Sequence, residues 1–225
     1  SSDLVAGFVF TILGASGIAD VKTLSSVILA LLAFMAFSQI RLRRAWRNAT
    51  KNPLAEAFSA DFPPDLYVHR DSAVREWLYI GISGYRTIGA GRLALRRMLE
   101  RNNKVRILLL DHTDAGLLDQ AARRGAPGTQ SSRVRDRLLN SLTELSELKA
   151  SFPENLEVRL APFLTTVGVN AFDPYQAGGA VYVQHYEFGA SAEASPIYRL
   201  LPSDGYWYQH QMAEFERMWD AGRPM

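Results

Sequence analysis

The chain has 225 residues, with 25 Lys and Arg against 23 Asp and Glu, no Cys, 48% hydrophobic residues and 21% charged. That length holds one ordinary domain and a smaller appendage. The missing cysteines exclude a disulfide scaffold, a thiolate zinc site and a cysteine nucleophile. The basic charge is local: Arg41, Arg43, Arg44, Arg47 and Lys51 lie within eleven residues that hold no acid, and without these five the remainder has 20 basic and 23 acidic groups. Such a body is poorly suited to gripping a phosphate backbone, so no nucleic-acid partner is expected.

In chain order, residues 4–19 (LVAGFVFTILGASGIA) and 24–40 (LSSVILALLAFMAFSQI) are uncharged and flank Asp20-Val21-Lys22-Thr23. At about 1.5 Å per residue each helix would reach roughly 24–26 Å, close to a ~30 Å hydrocarbon layer. Neither run shows the polar face of a soluble surface helix. The first reading is a transmembrane helical hairpin with both ends cytoplasmic. The second is one span, 24–40, preceded by a re-entrant or interfacial segment. The third is a buried helix pair of a soluble protein. A cleavable leader is not expected, because no basic residue precedes the first run.

The basic cluster follows the second run directly. Positive residues beside a span stay on the cytoplasmic side, which orients the rest of the chain toward the cytoplasm at the inner (cytoplasmic) membrane. Arg41, Arg43, Arg44 and Arg47 are candidate contacts for anionic lipid headgroups, at about 1 kcal/mol per basic residue near the surface. The expected division is a membrane anchor over 1–47, a linker over 48–64 (NATKNPLAEAFSADFPP), and a cytoplasmic domain over 65–225.

In that domain, residues 77–83 read as a buried strand ending at Gly84. Residues 91–102 read as a helix carrying Leu93, Leu95, Met98 and Leu99. Val105–Leu110 reads as a central strand stopping at Asp111. This strand, helix, strand order implies an α/β fold with parallel pairing. Helices follow at 114–124 and 131–151, the second with a core stripe of Val134, Leu138, Leu142, Leu145 and Leu148. Strands follow at 156–160, 167–172, 180–188 and 197–201, with a closing helix over 206–221 that puts Tyr208, Met212, Phe215 and Trp219 on one side.

The runs WLYIGISGYRTIGAGRLALRRMLERNNKVRILLLD (77–111), VGVNAFDP (167–174), GGAVYVQHYEF (178–188) and AEFERMWDAG (213–222) resemble the phospholipase D-like superfamily across about 65–221. The resemblance implies a mixed sheet flanked by helices. Active members carry His-x-Lys-x4-Asp, in which His attacks phosphorus and Lys steadies the phosphate oxygens. With Asp173 in the Asp place, the Lys place is Gly168 and the His place is Thr166. Without nucleophile and cation the standard reaction is not expected, and no catalytic residue carries over.

The remaining polar candidates stand on local pattern. Asp111, in Asp111-His112-Thr113-Asp114, follows the central strand where open α/β sheets bind ligands, although Asp111 or Thr113 could instead cap the next helix. His185 shares the strand face of Val181 and Val183, where a satisfied core histidine is the ordinary outcome. His69 reads as an ordinary surface histidine. Asp173 follows the preceding strand. Arg86, after the first strand, could add a cation for a phosphate or carboxylate, or simply bond a loop carbonyl. Tyr206, Trp207, Tyr208 and His210 form an aromatic group, read first as core. No His-x3-His motif and no cofactor motif occurs, so neither metal nor cofactor is expected.

These residues favour a membrane-anchored, non-catalytic phospholipase D-like module with the bilayer as partner, binding a phosphate-bearing small molecule or a protein at Arg86, Asp111, Asp173 and His185. The alternative is a divergent phosphodiesterase or lipid hydrolase using Asp111, Asp173 and His185. A third reading has the domain only bring anchors together as a homo-oligomer. The enzyme reading predicts clustered carboxylates with a histidine in an open pocket. The binding reading predicts a basic or aromatic pocket, or none.

Overall fold

A computed structural model describes residues 29–41, 57–73, 75–190 and 195–225. The chain divides into two compact units, Ser1–Pro53 and Leu54–Met225. In the first unit, residues 29–41 are helical and exposed. Leu29, Leu32, Phe34, Met35, Phe37 and Ile40 all face outward, and the Arg41 guanidinium lies 5.9 Å from the Phe37 ring centre. Among the described residues no helix is long and apolar enough to cross a membrane. The expected first span, the start of the second, and Arg43, Arg44 and Arg47 lie outside the described residues.

The second unit is an eight-stranded mixed sheet flanked by helices. Its strands are β1 (Phe58–Ser59), β2 (Glu76–Gly81), β3 (Lys104–Leu110), β4 (Leu156–Ala161), β5 (Val167–Phe172), β6 (Ala180–His185), β7 (Ile197–Leu200) and β8 (Arg223–Pro224). They lie in the order β1-β7-β6-β5-β2-β3-β4-β8. β2, β3 and β4 are parallel, as the strand, helix, strand pattern implies, and every other pairing is antiparallel. The helices are α1 (Pro64–Ser72), α2 (Tyr85–Glu100), α3 (Ala115–Arg124), α4 (Ser131–Ser151) and α5 (Tyr206–Asp220).

Side chains alternate across each strand, so the sheet has two apolar faces. Trp77 and Tyr79 of β2 join Leu66 of α1, Leu95 and Leu99 of α2, and Leu138, Leu142 and Leu145 of α4. Leu78 and Ile80 face the other way, onto Tyr208, Met212, Phe215 and Trp219 of α5. The stripes expected on α4 and α5 are therefore core. Truncating a fully buried leucine such as Leu138 to Ala would cost about 2–5 kcal/mol.

Three departures from the sequence expectation have a clear physical cause. α2 begins at Tyr85 rather than 91, because Gly84, at φ 67°, turns the chain straight from the strand into the helix. α1 occupies part of the supposed connector and the start of the domain. It opens on a proline at its first position and buries only Leu66, so it carries no apolar stripe to read. β6 stops at His185 rather than 188: Tyr186 N–H still donates to the Thr166 carbonyl, but Gly189 N–H has already turned to the Arg124 carbonyl at the end of α3.

Candidate functional site

The parallel strands end at the N-terminus of α2, and a cavity of about 420 Å³ opens there. Its wall takes Ser83 to Thr87 from the β2–α2 turn, Arg124 from α3, Arg133 and Arg137 from α4, and Gln184, Tyr186 and Glu187 from β6 and beyond. Four arginines face one acid, so the cavity is electropositive. Gly84 supplies no capping side chain to α2, which leaves the positive end of the helix dipole at the wall. A helix start with nearby cations is a ready site for an anion.

Arg86 is the central residue. Its guanidinium stacks 4.7 Å from the Phe62 ring centre, and its Nη1 reaches only to 3.9 Å from Asp61 Oδ1. Its Nη2 is buried without a hydrogen-bond partner among the described residues. No loop carbonyl takes it, contrary to the plainer expectation. A buried donor in this state carries an uncompensated desolvation cost of about 1–3 kcal/mol, which an incoming acceptor would relieve. Two of the other cations are more committed: Arg124 donates to the Tyr186 carbonyl at 3.2 Å, and Arg137 lies 5.7 Å from the Tyr85 ring centre.

The floor is built of tyrosine over glycine. Tyr79 lies over Gly81, and Tyr186 lies over Gly168 of β5; a β-carbon on either glycine would collide with the hydroxyl above it. The two hydroxyls meet each other, with Thr87 beside Tyr79. Burial pushes the Tyr79 phenol above the usual tyrosine value and the Tyr186 phenol well above it, so both remain protonated donors. The space beside position 168, where the sequence resemblance puts the lysine place, is thus filled by the Tyr186 ring.

The other sequence candidates do not join Arg86. Asp111, at the end of β3, accepts two hydrogen bonds from Arg223 (2.8 and 2.9 Å) and two from the Thr113 backbone and hydroxyl (2.9 and 2.7 Å). Although burial opposes it, these bonds hold the carboxyl down to about 2. It clamps the C-terminal segment, while Asp114 caps α3 through Leu117 N–H. Asp173 sits at the opposite end of the sheet, since Phe172 pairs with Trp77 at the start of β2. A six-residue strand, roughly 20 Å, separates that end from Asp111. Asp173 Oδ1 accepts from Arg75 and Glu76 N–H, both at 2.8 Å, and so caps the start of β2. His185 is exposed at the end of β6 rather than held in the core. The polar pocket expected from Asp111, Asp173 and His185 is not formed, because each residue ends a different strand and serves its own neighbourhood.

The other histidine and aromatic expectations also change. His69 is part-buried and bonded to the Tyr182 hydroxyl at 2.7 Å. Of the aromatic group, Tyr208 is core, donating to the Pro174 carbonyl at 2.6 Å, whereas Tyr206 and Trp207 are exposed. Arg124, Arg133 and Arg137 were not legible as site residues. Each sits on a helix rich in surface charge, and only the tertiary fold turns them to one cavity. Among the described residues no group of three His, Asp or Glu side chains is arranged to hold a metal ion.

No protein-family model and no curated protein matches the chain. Solved structures similar to the chain at low identity include TrmBL2, Nuc and NucT. TrmBL2, an archaeal chromatin protein described with a novel mode of DNA binding, has a TM-score of 0.49 and 11% identity, over 91% of this chain and 68% of its own. The phospholipase D family member Nuc from Salmonella typhimurium has a TM-score of 0.40 and 15% identity, over 75% of this chain and 97% of its own. NucT from Helicobacter pylori has a TM-score of 0.43 and 13% identity, over 72% of this chain and 89% of its own.

Proposed function

We propose that the chain is a membrane-anchored, non-catalytic phospholipase D-like module that binds a phosphate-bearing ligand in the cavity at the start of α2. The observation that carries this reading is the buried, unpartnered Nη2 of Arg86 at the rim of a cavity walled by three further arginines. Charge-assisted donors and an uncapped helix start suit phosphate oxygens. The four cations do not bring a nucleophile with them: the lysine place holds Gly168 beneath Tyr186, and the histidine place holds Thr166. The hydrolase alternative requires Asp111, Asp173 and His185 to converge, and their separation disfavours it.

The anchor rests on the two uncharged runs at 4–19 and 24–40 and on the cations from Arg41 to Arg47. On this reading the bilayer is the constant partner, the domain lies on the cytoplasmic face of the inner membrane, and the ligand-loaded cavity would signal to a protein partner or to a second copy. The outward apolar side chains over 29–41 suit lipid contact.

The test is calorimetric titration of the full chain in detergent with inorganic pyrophosphate, alongside Arg86→Ala. Binding by the wild type and a loss of tenfold or more in the variant is expected. Equal binding by both chains would remove Arg86 from the site, and no binding by either would overturn the reading. Alkaline carbonate extraction of membranes tests the anchor: the chain should stay in the pellet, and release into the supernatant would refute it.

A further inference from the structure

A second cavity, of about 520 Å³, adjoins the first and shares Phe62, Tyr85, Arg86 and Thr87 with it. Its character differs. Phe62, Tyr67, Trp77 and Tyr85 supply aromatic walls, and Gly89 of α2 leaves a gap, since a β-carbon there would meet nothing within 4 Å. Glu144 of α4 lines it with a carboxylate oxygen, Oε2, that is buried and has no hydrogen-bond partner among the described residues. The paired cavities therefore hold an orphan donor at their shared wall and an orphan acceptor in the second chamber.

The helix α4 links them. Arg133 and Arg137 line the first cavity, and Asn140, Ser141 and Glu144 the second; this spacing keeps all five on one helical face. From Arg137 to Glu144 the helix rises about 10 Å, comparable with the span of a nucleoside monophosphate from phosphate to base edge. An aromatic-walled chamber joined to a cationic one matches a nucleotide: phosphate at the arginines, base against the rings.

We infer that the second cavity is the base pocket of a guanine nucleotide whose phosphate occupies the first, an inference that rests on the phosphate-binding reading above. A carboxylate only accepts hydrogen bonds. Guanine offers it two adjacent donors, N1–H and the N2 amino group. Adenine and cytosine each offer one amino donor, but they turn the lone pair of N1 or N3 toward Glu144 beside it, so guanine is held more tightly than either. Arg86 and Arg70 at the wall offset the two acids, Asp61 and Glu144, so the chamber has no net negative charge to draw a simple cationic amine.

The experiment titrates the full chain in detergent with GMP, AMP and ribose 5-phosphate. GMP should bind about tenfold to a hundredfold more tightly than the other two, the margin expected of hydrogen bonds to a charged acceptor. Glu144→Gln should erase the preference for GMP over AMP. Gly89→Leu, which adds bulk to the wall of the second chamber where a β-carbon meets nothing within 4 Å, should bring GMP down to the level of ribose 5-phosphate and leave the latter unchanged. Equal binding of all three compounds by the wild type, or a GMP preference surviving Glu144→Gln, would overturn the base pocket and leave the phosphate site standing. Failure of a folded wild-type chain to bind any of them would overturn both.

Discussion

Arg223 grips Asp111 through two hydrogen bonds of 2.8 and 2.9 Å, across 112 positions of sequence. This pair fixes the last residues of the chain to the end of the central strand, and it removes from ligand chemistry the carboxylate that the local sequence placed most favourably. Arg223→Ala should lower the thermal midpoint at pH 7 by a few degrees. The Asp111 carboxyl is held down to about 2 in the folded protein. Its contribution is therefore fully present above the ordinary carboxylate value and fades as pH falls toward 2. Thermal unfolding of both chains across that range should show the gap closing in acid, and a gap independent of pH would disprove the assignment.

The Tyr186 ring over Gly168 makes a sharper demand. Gly168→Ala should destabilise by about 1–3 kcal/mol, because the added carbon must displace a buried phenol. Gly168→Lys should be worse, and it should not confer phosphodiester hydrolysis. Pairing it with Tyr186→Ala should recover much of the lost stability, since the two positions compete for one volume. Urea denaturation of the single and double variants measures the coupling, and strict additivity would show that the ring and the glycine are independent.

Arg106 is held between Glu76 at 3.0 Å and Glu216 at 2.9 Å, with Phe215 and Trp219 rings about it. Burial raises the Glu76 carboxyl; burial also pushes on Glu216, but Arg106 and Tyr175 hold it below its usual range. Arg106→Leu would remove the cation the two carboxylates share, leaving only the weaker influence of Lys104 on Glu76 and of Arg159 on Glu216, at a cost of about 3 kcal/mol at neutral pH. Both carboxyls would then titrate above their unfolded values, so the deficit should shrink as pH falls below 5 and the carboxyls take up protons. Chemical denaturation at pH 7 and pH 4.5 checks the sign.

The juxtamembrane cations give a prediction independent of the cavity. Replacing Arg41, Arg43, Arg44 and Arg47 together with Gln should weaken flotation with vesicles containing anionic lipid and leave neutral vesicles unaffected, and high salt should mimic the change in the wild type. Identical flotation of both chains on anionic vesicles would exclude these residues as headgroup contacts.

Much of the sheet was legible from the sequence because its elements announce themselves. Ile107–Leu110 is an unbroken apolar run, and α4 carries a stripe of Val134, Leu138, Leu142, Leu145 and Leu148. α1 was not legible, since PDLYVHRDS buries one residue and its helical state comes from Pro64 and packing rather than pattern. Of the site, Arg86 was legible because it follows the first strand at the start of a helix. Glu144 was not, because nothing in SLTELSEL separates an acid turned to a chamber from one turned to water. Asp111 misled for the same reason in reverse: its position was correct for a ligand group, but its partner is supplied by the far end of the chain.

Both margins of the sheet end in strands of two residues, Phe58–Ser59 and Arg223–Pro224, the latter closed by an imino acid that lacks an amide hydrogen. Margins this short present too little unpaired backbone to template a neighbour's strand. Many copies could accordingly crowd onto one patch of surface without zipping into fibrils, leaving any assembly to be governed by helices and bound small molecules instead.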